Sequence, residues 1–188
     1  MMTWTNFYNR VAELDDVRRK ALMLKPDLNS LPLPIQRYDD PFLPLGKEVV
    51  RATESNVGIY IFDMASYFAT GAAGIVALER TIAYARNRSL TILHGPFTGK
   101  HYGTLTNLAV DAFTVSTEQD HAYYLQNSPY TPFLWNAEAP RIGGGMNESM
   151  ITVSDDQKEQ FTMPIYDLGD VMTDFTDTFA DSLKAHLA

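Results

Sequence analysis

Cysteine is absent from all 188 residues. That excludes disulfides, thiol nucleophiles and cysteine-based zinc sites. Basic residues are also scarce, 15 Lys and Arg against 23 Asp and Glu, for a net charge of −8. No block of Lys or Arg stands out. A nucleic-acid polymer or an anionic membrane surface would demand a basic footprint, so neither is expected as the main partner. No apolar run approaches the ~18 residues that a membrane span needs. The N-terminus carries Trp4, Arg10, Glu13, Asp15 and Asp16 where a signal peptide would need an apolar core. A cytoplasmic protein is the expectation.

What is present is a chain 45% hydrophobic, enough for a single α/β domain with a proper core over 1–188. Phe7 to Leu24 has helical periodicity, ended by Pro26. Five prolines between residues 26 and 46 predict a long loop, anchored by Leu31, Leu33, Ile35, Phe42 and Leu43. A short helix is expected over Lys47 to Thr53, then a buried strand over Val57 to Asp63 and a helix over Ile75 to Arg86. Leu90 to His94 and Phe113 to Ser116 read as further strands, with a helix between them over Thr104 to Asp111. Short apolar strands alternating with helices imply parallel pairing. The expected architecture is a layered, mainly parallel twisted sheet flanked by helices, Rossmann-like or flavodoxin-like with three layers. Further on, the pattern suggests a helix over Glu118 to Gln126, a loop over Pro129 to Asn147 and strands at Met150–Val153 and Gln160–Tyr166. A C-terminal extension over 127–188 would end in a helix from Gly169 to Leu187, where Val171, Phe175, Phe179, Leu183 and Leu187 recur every fourth residue.

Several motifs fail on spacing. Gly95-Pro96-Phe97-Thr98-Gly99-Lys100 is one residue short of a phosphate loop, and His101 stands where the hydroxyl belongs. Gly71 to Gly74 lacks the three-glycine dinucleotide spacing. His94, His101, His121 and His186 show no metal-ligand spacing, so no metal and no cofactor is expected. His94 ends a buried strand and reads most simply as a hydrogen-bonded rim residue.

Carboxylates remain. Glu79 falls between Ile75 and Val76 on the helical wheel, close to the stripe of Ile75, Leu78 and Ile82. An ionised group on a core-facing stripe is costly unless paired or usefully solvated, which makes it a site candidate. The competing reading places it at the helix border with its head in water. Glu54 precedes the first strand of the alternating run and Asp63 ends it. Two carboxyls around one pocket suit glycosidic chemistry. In parallel sheets ligands bind beyond the carboxyl ends of the strands, where Asp63 and the loops after it and after His94 belong.

The segment from about 30 to 117 resembles the nucleoside 2-deoxyribosyltransferases. Val57-Gly58-Ile59-Tyr60-Ile61, then Glu79 with Ala83, then Tyr102-Gly103 with Asn107-Leu108 follow that family's order, and Pro32-Leu33-Pro34-Ile35-Gln36 echoes its base-recognition loop. The resemblance implies N-glycosyl transfer or hydrolysis on a (deoxy)nucleoside or nucleotide, with Glu79 as the nucleophile that holds a glycosyl-enzyme. It also implies that Asn107 reaches across from a neighbouring subunit of a homo-oligomer with shared active sites, and that Gln36 and Glu54 contact the base. Asp63, Thr70 and Tyr102 complete the implied substrate-binding set, Ala73 standing where the family tends to have an Asp. Two further classes stay open: a non-catalytic protein binding a nucleotide-like ligand, and a structural or assembly protein.

Overall fold

The computed structural model describes residues 4–97, 108–128, 130–135, 147–152 and 160–167. Helix α1 (Trp4–Ala12) leads into strand β1 (Ala21–Leu24), and a 3-10 turn (Leu28–Ser30) precedes α2 (Leu33–Gln36) and α3 (Phe42–Thr53). Then come β2 (Ile59–Asp63), α4 (Met64–Phe68), α5 (Ala72–Ala85), β3 (Leu90–Phe97), β4 (Ala112–Val115) and α6 (Glu118–Asn127). Strands β5 (Thr131–Trp135), β6 (Asn147–Thr152) and β7 (Gln160–Asp167) follow.

The sheet closes on itself as a barrel in the order β1 to β7. Strands β1 through β5 pair in parallel, β6 runs antiparallel to both neighbours, and β7 returns parallel to β1. This corrects the expected three-layer sheet. An open layered sheet and a closed barrel share the same strand–helix alternation, so periodicity cannot separate them. Closure is decided by the pairing of β7 with β1, Ala21 opposite Ile165 and Leu22 opposite Tyr166. Strands β5, β6 and β7, all within 127–188, are the ones that complete the ring.

Strand alternation sorts the core into two layers. Ala21, Met23, Ile59, Ile61, Leu90, Ile92, Ala112 and Phe133 turn into the barrel and pack with Phe7 and Val11 of α1. Leu22, Leu24, Tyr60, Phe62, Leu93, Phe113 and Val115 turn outward against Val49 and Val50 of α3, Leu78 and Ile82 of α5 and Tyr124 of α6. Each large side chain buried this way contributes about 1.5–3 kcal/mol relative to exposure. The outer layer is also tied by polar groups: Tyr60 Oη lies 2.8 Å from Thr53 Oγ1, whose hydroxyl donates to Val49 O at 2.7 Å.

Helix α1 shuts the end of the barrel where the strands begin. Phe7 meets Phe133 edge-on with ring centroids 5.1 Å apart. Arg10 Nη1 donates to Asp111 Oδ1 at 2.5 Å. Asp111 Oδ2 accepts from the Thr91 backbone N–H at 2.8 Å and from the Thr91 hydroxyl at 2.9 Å. One carboxylate thus joins α1 to the starts of β3 and β4.

The helix expected from Phe7 to Leu24 is two elements. Ala21-Leu22-Met23-Leu24 are good helix formers, yet all four are buried on both faces of a strand between two parallel neighbours. The expected loop over 26–46 holds two short helical turns and the first turn of α3, where Pro44 sits without losing an intrahelical bond. Of the loop expected over Pro129 to Asn147, Thr131–Trp135 is strand. Ala109 to Asp111 are not helical, Ala109 having φ 49°. The rest of the expected helix over Thr104 to Asp111 and the whole of Gly169 to Leu187 lie outside the described residues, save Leu108.

Candidate functional site at the barrel mouth

While α1 closes the end where the strands begin, the opposite end lies where the parallel strands finish. Asp63, the last residue of β2, stands opposite His94 of β3 in the ladder. Leu24 stands opposite Phe62, so Lys25 follows level with Asp63 at the end of β1. Alternation turns Lys25, Asp63 and His94 toward the barrel axis, like Met23, Ile61 and Ile92 below them. Three ionisable groups at the ends of three adjacent strands therefore share one rim.

Each is held by its local sequence. Asp63 caps α4, accepting from the Ser66 backbone N–H at 3.2 Å and from the Ser66 hydroxyl. Its charge thus sits at a helix N-terminus, where the partial positive charge favours it. His94 Nδ1 lies 2.9 Å from Thr114 Oγ1 on β4. Burial pulls the His94 imidazole below its ordinary pKa; the Asp63 carboxylate opposes that shift and the Lys25 ammonium adds to it. Lys25 itself is exposed. The rim therefore offers a cation, an anion and an imidazole that favours its neutral form, a set able to bind an anionic ligand and to move protons near it. Among the described residues no cluster of His, Asp and Glu has the arrangement of a metal site.

The residues expected from sequence do not converge here, apart from Asp63. Glu79 is exposed on the outer face of α5, beside Ile75 and Val76, which are 46% and 43% exposed. The buried face of α5 is Gly74, Ala77, Leu78, Thr81, Ile82 and Ala85. The stripe drawn through Ile75 gave too much weight to large side chains: small residues form much of the buried face, with Gly74 against Tyr67 and Thr70 and Thr81 against Gly46 of α3. Glu54 ends α3 ahead of β2, at the opposite end of the barrel from Asp63, and its Oε2 is 2.7 Å from Arg88 Nε. Gln36 is exposed, and its Nε2 donates to Leu31 O at 2.7 Å, which ties down the loop after β1. Thr70 follows α4, and its hydroxyl donates to Tyr67 O at 3.3 Å. Tyr102 and Asn107 lie outside the described residues. Lys25 and Thr114 were missed. The signal for Lys25 was a charge directly after the apolar run Ala21–Leu24, obscured once that run is taken for a helix.

No family model matches the chain and no curated protein matches it. Solved structures do. A Streptomyces avermitilis protein provisionally named orotidine 5'-phosphate decarboxylase superposes with TM-score 0.56 at 20% identity, over 71% of this chain and 53% of its own. Leishmania donovani UMP synthase gives TM-score 0.56 at 16% identity, over 71% of this chain and 30% of its own. Plasmodium berghei orotidine 5'-monophosphate decarboxylase gives 0.53 at 15%, over 69% and 59%. The chain spans about half the length of the decarboxylase structures, and these identities carry the fold alone. They overturn the resemblance to nucleoside 2-deoxyribosyltransferases and, with it, glycosyl transfer through a Glu79 ester. No helix among the described residues is long and apolar enough to cross a membrane. The chain has the closed α/β barrel architecture of these structures, with Lys25, Asp63 and His94 at the carboxyl ends of neighbouring strands.

Proposed function

We propose that this chain is an enzyme of nucleotide metabolism that takes an anionic, pyrimidine-nucleotide-like small molecule at the barrel mouth and acts on it by decarboxylation. The observation that carries this is the level placement of Lys25, Asp63 and His94 at the ends of three adjacent parallel strands. Barrels of parallel strands place their chemistry at that face. The names of the similar structures, orotidine 5'-phosphate decarboxylase and UMP synthase, supply the ligand class by analogy.

The chemistry suits the groups. Loss of carbon dioxide breaks a carbon–carbon bond and leaves the electron pair on the ring carbon. A nearby ammonium stabilises that charge and then donates the proton that quenches it. Lys25 is the group for both tasks, Asp63 adds a negative charge at the same rim, and neutral His94 supplies a hydrogen bond without a competing cation. A second reading is binding without turnover. It is favoured by the exposure of Lys25, since a hydrated ammonium stabilises a carbanion far less than a desolvated one.

Incubation with orotidine 5'-monophosphate, followed by carbon dioxide release and product nucleotide, decides between them. Turnover that disappears in Lys25→Ala supports the first reading. Saturable binding of the nucleotide with no product supports the second. Absence of both binding and product overturns the ligand assignment.

A further inference from the structure

Thr114 is a buried hydroxyl at the rim, 1% exposed, on the strand next to His94. Its Oγ1 has three neighbours within hydrogen-bond reach. The Gly95 backbone N–H donates to it at 3.2 Å. The Gly95 carbonyl lies 3.4 Å away and His94 Nδ1 2.9 Å away. A threonine hydroxyl carries one proton and two lone pairs. Gly95 N–H occupies one lone pair, so the hydroxyl proton goes either to Nδ1 or to the Gly95 carbonyl. The contact to Nδ1 has the length of an ordinary bond, whereas 3.4 Å is long for a hydroxyl donor.

We infer that Thr114 is a positioning residue for His94: its hydroxyl donates to Nδ1, fixing the ring's orientation and placing the proton of the neutral imidazole on Nε2. This rests on the reading of the mouth as a ligand site, because there it makes His94 a hydrogen-bond donor through Nε2 rather than a general base. The threonine is suited to the task. Its β-branched side chain has few χ1 choices, and the backbone N–H of Gly95 holds Oγ1 from the far side, so the hydroxyl cannot turn away without leaving a buried donor unpaired. Among the described residues, the charged groups acting on the ring are Asp63 on β2 and Lys25 after β1. They set how readily it gains a second proton; Thr114 sets where the first one stays.

The test is nitrogen-15 NMR of histidine-labelled full-length protein, with the His94 signals assigned by their loss in His94→Gln. The expected result is a single neutral tautomer with the proton on Nε2 in the wild type and in Thr114→Ser. In Thr114→Val the two tautomers should mix, and the titration midpoint should rise toward the ordinary ~6.5, because the bond favouring the neutral ring is gone. A wild-type ring protonated on Nδ1 overturns the inference, and so does a Thr114→Val ring with unchanged tautomer and midpoint. The wild-type and serine spectra decide the matter even if the valine variant does not fold. No ligand enters the measurement, so absence of nucleotide binding would strike the functional reading and leave this result standing.

Discussion

Asp63 and His94 stand opposite each other at the ends of β2 and β3, and the carboxylate offsets only part of the burial that keeps the imidazole's pKa below its ordinary value. The pair couples the charge at the barrel mouth to the stability of the barrel.

That coupling has a sign. The folded-state pKa of His94 lies below its unfolded value, so the unfolded chain binds a proton first as pH falls. The stability gained by keeping the ring neutral is fully present above the unfolded value of ~6.5 and is lost as pH drops through the lowered folded value. Urea denaturation of the wild type between pH 7.5 and 5 should show stability falling with pH, and His94→Gln should flatten that slope. Asp63→Asn should steepen it, since the charge favouring the imidazolium is gone. Identical slopes in wild type and His94→Gln would contradict the placement of the ring.

Asp111 carries the closure of the other end of the barrel. It accepts from Arg10 and twice from Thr91. Asp111→Ala leaves these donors without their shared acceptor and should cost about 2–3 kcal/mol in urea denaturation. Hydrogen exchange should quicken in α1 before it quickens in α5. A loss below about 0.5 kcal/mol would mean that α1 is held by its apolar face alone.

Gly74 lets α5 start against the preceding turn. A Cβ there would lie 1.7 Å from Tyr67 O and 2.5 Å from Thr70 Oγ1. Backbone cannot yield as a flexible side-chain tip does, so Gly74→Ala should destabilise by about 3 kcal/mol despite alanine's better helix propensity. A stabilised alanine variant in a thermal melt would refute this packing.

Glu79→Ala should behave in the opposite way. The residue is exposed, and alanine is a better helix former, so stability should stay within about 0.5 kcal/mol. Nucleotide binding should be unchanged. A variant that folds but loses binding would return Glu79 to the site.

Much of the local structure was legible in the sequence because it follows from short-range patterns. The apolar runs at 57–63, 90–94 and 113–116 are too short and too β-branched for helices, and they overlap β2, β3 and β4. Strand β1 was hidden because Ala, Leu and Met carry helix propensity, and only burial between β2 and β7 makes them extended. Barrel closure was hidden because it depends on pairing Ala21 with Ile165, 144 positions apart. The candidate site was legible in part: Asp63 does end a strand, but Lys25 and Thr114 come near it only through the registers of β1 and β4. The misjudged face of α5 sent attention to Glu79 instead.

The most direct measurement is calorimetric titration of uridine 5'-monophosphate into the wild type, Lys25→Ala and Glu79→Ala. Saturable binding is expected in the wild type, weakened about tenfold or more by loss of the Lys25 ammonium, the ~1.4 kcal/mol scale of one charge-assisted contact. Glu79→Ala should match the wild type. Binding that ignores Lys25, or that vanishes with Glu79, would contradict a site at the barrel mouth.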